Sequence, residues 1–143
     1  MDVLRYLDSI VDAFIIVQEI ECTLRTITSL ALPSEDKLQH AIKQSLSDHC
    51  ENRPMPLELE EMTFGDLVSL ICDGRNWMAF DEILGVARKR TYKKLKKVRD
   101  IRNKHFHFRE DISEDEREYL LKCRNWLRRC CRKYQSRDGH VFA

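Results

Sequence analysis

The sequence predicts an all-α fold, an antiparallel helical bundle of four long helices with an insert of shorter ones. Three observations carry that expectation. Glycine and proline are scarce, at 4 and 3 of 143 residues, whereas all-β folds need turn residues every few positions. Apolar residues recur at steps of three and four along most of the chain, the period of one helix face. No segment alternates apolar and polar residues over six positions, as a half-buried strand would. The composition, 43% hydrophobic and 34% charged, is that of a globular chain long enough to bury a core without staples. Residues 1–135 are read as one helical domain and 136–143 as a frayed tail.

The elements follow in order. Leu4, Leu7, Val11, Phe14, Val17, Ile20, Leu24, Ile27 and Leu30 mark one helix over residues 2–31, and Pro33 stops it. Ser34 is placed to cap a second helix reaching about His49, with Glu35 and Asp36 in its first turn. Pro54 and Pro56 mark a loop. Thr63 opens a short helix containing Phe64, Leu67, Val68 and Ile71, which Asp73-Gly74 ends. Another short helix holds Trp77, Met78, Phe80 and Ile83 and stops near Gly85. Residues 88–105 form a basic helix with a narrow apolar seam of Tyr92, Leu95, Val98 and Ile101. Ser113-Glu114-Asp115-Glu116 reads as a capping box for a last helix through Tyr119, Leu120, Cys123, Trp126, Leu127, Cys130 and Tyr134.

The formal charge of +1 hides a strong segregation. Residues 88–109 carry eleven bases and one acid, Asp100, while residues 58–73 carry five acids and no base. A basic stripe of this kind can follow a phosphate backbone, and a plain solvated helix face has the same composition. The run Arg124, Arg128, Arg129, Arg132 and Lys133 either extends such a groove or faces water. The six cysteines, at 22, 50, 72, 123, 130 and 131, form no Cys-x-x-Cys pair. Most fall on apolar stripes, which suits free thiols packed in a protein of the reducing cytoplasm. No run approaches the ~18 apolar residues of a spanning helix, so no membrane is expected among the partners. Asp2 and Asp8 argue against a targeting peptide.

Several chemistries find no support. His105-x-His107 and the Cys123, Cys130, Cys131 group lack the paired spacing of zinc sites, so no metal is expected. Gly65 stands alone and makes no phosphate-cradling loop, and no cofactor is expected. Trp77 and Trp126 lie on apolar stripes and are read as packing residues.

The most unusual stretch is Val98-Arg99-Asp100-Ile101-Arg102-Asn103-Lys104-His105-Phe106-His107-Phe108. Metal-free RNA cleavage needs a group that moves protons on the 2′-hydroxyl and the leaving 5′-oxygen. It also needs a cation for the extra negative charge of the phosphorane-like transition state. Histidine titrates near neutrality and suits the first task, and arginine keeps its charge and donor fork for the second. On an ideal helix five residues leave ~140° of rotation and ~7.5 Å of rise, so Arg102 and His107 share no face. His105, three residues from Arg102, is the nearer neighbour and a rival. Either the helix ends near Phe106, letting His107 turn back, or two protomers bring their motifs together. Helix-end histidines favoured by the dipole are the plain alternative.

Arg102-Asn103 followed by His107 resembles the Arg-x4-6-His signature of HEPN domains, in the form with a polar residue after the arginine. Ile20-Glu21-Cys22-Thr23-Leu24-Arg25 is similar to the first-helix Ile-Glu-x-x-Leu-Arg of HEPN domains that follow paired CBS domains in bacterial proteins. Thr63-Phe64-Gly65-Asp66-Leu67, Asn76-Trp77, Val98 to Asn103 and His107-Phe108 occur in the matching order, so the resemblance spans about residues 13–131. No CBS pair accompanies them. The resemblance implies a homodimeric, metal-independent endoribonuclease with RNA as substrate, an antitoxin or sensor protein as a further partner, and a toxin or defence setting. Under it Arg102 would hold the scissile phosphate, His107 would act as base or acid, Asn103 would assist, and Glu21 would orient Arg102 or the partner's histidine. Lys93, Lys94, Lys97, Arg99 and Lys104 would bind RNA. A module of the same type that binds RNA, nucleotide or protein without cleavage is the alternative, and a purely structural helical dimer is a third reading.

Overall fold

Six α-helices and one 3-10 turn make up the described residues, with no strand among them. The structure is a computed structural model that describes residues 3–47, 52–107 and 111–137, apart from the side chains of Tyr6 and His107. The helices are α1 (Val3–Ala31), α2 (Glu35–Leu46), α3 (Phe64–Ile71), α4 (Trp77–Leu84), α5 (Arg88–His107) and α6 (Glu114–Arg137), with the 3-10 turn at Leu59–Glu61 between α2 and α3. Their boundaries follow local chemistry. Ser34 Oγ accepts from the Lys37 amide and starts α2. Thr63 and Asp66 exchange side-chain and backbone bonds, both 3.1 Å, in a full capping box for α3. Ser113 and Glu116 do the same for α6 at 3.0 and 3.1 Å. Gly85 closes α4 in the left-handed region, φ 68°, where a side chain would be strained. α2 ends at Leu46, short of His49, which lies outside the described residues, and the 3-10 turn was not anticipated.

Three long helices frame the core. Phe14 meets Phe106 and Glu21 meets Arg102, so α1 and α5 run antiparallel. Lys97 lies on Tyr119 and Lys104 pairs with Glu116, so α5 and α6 are also antiparallel. α1 and α6 are parallel: Asp12 pairs with Arg117 and Glu19 with Arg124, both 105 residues apart. Leu24, Ile27, Ile42, Leu67, Phe80, Leu95, Val98, Leu120 and Leu127 interlock in the interior. α2, α3 and α4 close that interior at the end of α1 distal to the N-terminus. There Asn76 Nδ2 donates to Ser45 Oγ and to the Leu70 carbonyl, both at 2.9 Å. Asp66 and Asn76 thus serve as cap and loop anchor.

Two expected core stripes are only partly core. On α1 the buried face comprises Val17, Ile20, Leu24 and Ile27, whereas Leu4, Leu7, Val11 and Phe14 are about half exposed or more. The register explains the first two. With α1 and α6 offset by 105 residues, α6 begins opposite Ser9 in the second turn of α1, so Leu4 and Leu7 overhang it, while Val11 and Phe14 lie past that point and their exposure is not due to the overhang. On α5, Tyr92 is exposed and its place on the seam is taken by Thr91, while His105 extends the seam beyond Ile101. On α4, Met78 points outward and is 91% exposed.

The contrast on α4 gives a direct check. Phe80→Ala should cost about 3–5 kcal/mol of unfolding free energy, since it empties a fully buried aromatic site. Met78→Ala should stay within about 0.5 kcal/mol of the native protein in the same denaturant titration. Equal losses in the two variants would contradict the orientation of α4.

Candidate functional site

Glu21 is the centre of the candidate site. It sits on α1 beside Ile20 and Leu24, and its side chain is 9% exposed. A carboxylate so placed needs cations to hold its charge, and two arginines supply them. Arg25, one turn on, brings Nη2 to 3.7 Å from Oε2. Arg102, from the far end of α5, brings Nε to 3.7 Å from Oε1. Both separations are ion-pair contacts rather than hydrogen bonds. Arg25 is fixed in turn by donating from Nε to the Leu59 carbonyl at 3.2 Å and from Nη2 to the Met62 carbonyl at 3.0 Å. The 3-10 turn, α1 and α5 are thus joined through one carboxylate.

Arg102 is held but not sealed, with 34% of its side chain exposed. Nη1 donates to Asn103 Oδ1 at 3.4 Å, and the guanidinium stands 5.9 Å from the Phe106 ring centre. Guanidinium carries five N–H donors, so these contacts leave donors for an oxyanion. Phe106 also meets Phe14 edge-on at 5.8 Å. Arg102 therefore lies at the border of the exposed apolar turns of α1. Sequence reasoning missed Arg25 as a positioning residue and Phe14–Phe106 as the wall. The i, i+4 spacing of Glu21 and Arg25 could have signalled the first.

The two histidines are placed differently. His105 is 5% exposed and tilts against Phe106 with centroids 5.1 Å apart, so it is a core residue of α5. His107 is the last residue of α5, and its side chain lies outside the described residues. The helix is regular as far as its last residue, His107, one position past Phe106, and residues 108–110 lie outside the described residues. Hence the backbone positions of Arg102 and His107 remain ~140° apart around the helix axis.

The basic residues divide into two faces. Lys94 and Lys97 lie on the α6 side, over the Trp126 ring at 4.7 Å and the Tyr119 ring at 4.2 Å. Tyr119 Oη also donates to the Lys94 carbonyl at 3.3 Å. Trp126 packs against the core, as does Trp77. Lys104 bonds both carboxylate oxygens of Glu116 at 3.3 Å. Burial raises the Glu116 carboxyl, but the bonds from Ser113 and Lys104 outweigh it and hold it below its ordinary value. Lys93, one turn before Lys97, lines the cleft on the α3 side, and Arg99 is half-buried. Of the second basic run, Arg124 and Arg128 are engaged by Glu19.

Among the described residues no group of three or more His, Cys, Asp or Glu is arranged to hold a metal ion. Burial raises the thiols of Cys72 and Cys131 to about 11 and that of Cys123 to about 12, so none is an activated nucleophile. No described helix is long and apolar enough to cross a membrane. No protein-family profile, curated protein or solved structure matches the chain.

Lys104–Glu116 clamps the end of α5 to the start of α6, and its pH dependence is defined. The Glu116 carboxyl is depressed in the folded state, so its contribution is present above the unfolded value and fades as pH falls through the folded one. Glu116→Gln should lower stability by about 0.5–1 kcal/mol at pH 7, and the gap should close in acid below about pH 4. A gap that widens in acid would contradict the clamp.

Proposed function

We propose that the chain is a metal-independent endoribonuclease of the HEPN type that acts as a homodimer. The observation that carries this reading is Arg102, anchored by the Glu21 carboxylate yet open to an anion, at the end of a basic helix. In the proposed mechanism the Arg102 guanidinium binds a non-bridging oxygen of the scissile phosphate. Asn103 keeps the guanidinium in plane. His107 takes the 2′-hydroxyl proton as the oxygen attacks phosphorus, and an imidazolium, its own or its partner's, protonates the departing 5′-oxygen. The products are a 2′,3′-cyclic phosphate and a 5′-hydroxyl. Burial of His105 supports assigning the imidazole to His107.

Dimerisation is supported by two observations. The ~140° between Arg102 and His107 favours a site shared between protomers. The exposed Leu4, Leu7, Val11 and Phe14 form an apolar face whose near end, Phe14, reaches Arg102 through Phe106, of the kind that marks an interface. Pairing through α1 would bring two Arg102–His107 sets to one cleft. A toxin or defence role, with an antitoxin or sensor protein as partner, is the biological setting that fits such an activity.

Purified protein should cleave RNA in excess EDTA and leave cyclic phosphate ends. Arg102→Ala and His107→Ala should each reduce the rate by about 100-fold or more. Activity that survives both substitutions would overturn the assignment, and loss in His105→Asn with unchanged stability would move it to His105. Val11→Glu should convert the dimer to monomer in sedimentation and abolish cleavage together. RNA binding without cleavage by the dimer would favour a binding module instead.

A further inference from the structure

α5 carries a second surface, remote from Arg102, that the reading above does not use. Between α3 and the first half of α5 lies a cleft of about 760 Å³. Val68 of α3 and Cys72 at its C-cap form its floor, and Lys89, Tyr92, Lys93 and Lys96 of α5 form its wall. We propose that this cleft is a binding site for single-stranded RNA, with one base stacked on Tyr92 and the adjoining phosphates on Lys89, Lys93 and Lys96.

Four features support this. Tyr92 is 41% exposed although it occupies a helix position where the apolar seam would continue, so its ring is presented to the cleft rather than spent on packing. Aromatic faces beside cations are the general means of holding a base without sequence preference. Lys89, Lys93 and Lys96 recur at steps of four and three along one line and span about 10 Å of the helix. Among the described residues none of the three has a salt bridge, unlike Lys104, Arg124 and Arg128. Finally, Arg88, Lys89 and Arg90 fill the first turn of α5 with no acid there. Cations at the positive end of a helix dipole are disfavoured, and a bound polyanion relieves the conflict.

The one acid in the cleft does not cancel this charge. Asp73 is held by two bonds from Arg75, at 2.7 and 3.0 Å, and by Ser45 at 3.1 Å. Arg75 chiefly holds its carboxyl down at about 2, and the pair is internally neutral. A strand fits better than a mononucleotide because the lysines form a line rather than a cup. Arg102 stands about 15 Å beyond Tyr92 along the same helix but about 120° round it from Lys96, so the two surfaces are separate. Binding in the cleft stands by itself and does not rest on the proposed function.

The test is fluorescence anisotropy with a labelled 2′-O-methyl RNA ten-mer, which lacks the nucleophilic hydroxyl and so reads binding whether or not the protein cleaves. Tyr92→Ala should weaken binding about ten-fold, and Tyr92→Phe should retain it. The Lys93→Ala/Lys96→Ala pair should weaken binding and flatten the slope of log affinity against log salt by about 1.4, two contacts at roughly 0.7 each. Lys37→Ala, an exposed lysine on α2, should change neither. Unchanged binding in Tyr92→Ala and in the double variant would overturn the site. Competition by ATP as strong, per nucleotide, as by the ten-mer would overturn the strand in favour of a mononucleotide. Cleavage lost with binding intact would leave this site standing and count against the proposed function alone.

Discussion

The fold turns on a buried negative charge. Glu21 lies on the inner face of the longest helix, where an unpaired carboxylate would cost several kcal/mol. Arg25 and Arg102 answer that charge from opposite sides, one from the same helix and one from the end of α5. Arg25 spends its other donors on the carbonyls of the 3-10 turn. A single carboxylate thereby ties together the loop before α3, α1 and the end of α5, and orients the guanidinium proposed to bind phosphate. A buried ion pair is a weak source of net stability, but removing one partner is costly. The arrangement therefore specifies a geometry more than it strengthens the fold.

The helices and their ends were largely legible in the sequence, because caps are local. Ser34, Thr63, Gly85 and Ser113 act where their side chains or φ angles dictate. Burial along a helix was less legible, because it depends on neighbours. From Leu95, a step of three back gives Tyr92 and a step of four gives Thr91, and both obey the helical period. The crossing of α5 over α3 and α6 selects Thr91 and turns Tyr92 outward. In the same way the stripe on α1 shows which face is apolar but not how far other helices cover it. For Leu4 and Leu7 that extent is set by the register with α6, which begins opposite the second turn.

The candidate site was legible in part. Arg102 and Asn103 stand out by composition, and the proposed link to Glu21 came from a resemblance to HEPN domains rather than from spacing. Spacing favoured His105 over His107, since three residues bring side chains closer than five on a helix. Spacing cannot say that the near neighbour faces the interior. His105 continues the seam of Leu95, Val98 and Ile101 at a step of four, and is buried with them.

These features give α5 a division of labour. Its inner seam holds the core, its α6 face places Lys94 and Lys97 on aromatic rings and Lys104 on Glu116, Arg88, Lys89, Lys93 and Lys96 line a cleft, and Arg102 keeps a guanidinium open to anions. All of this depends on α5 being tied to α1 through Glu21. The most direct measurement is a double-mutant cycle on unfolding free energy with Glu21→Gln and Arg102→Gln. Anchoring of Arg102 by Glu21 predicts a coupling of about 1 kcal/mol, with the double variant less destabilised than the sum of the singles. Strictly additive losses would contradict it.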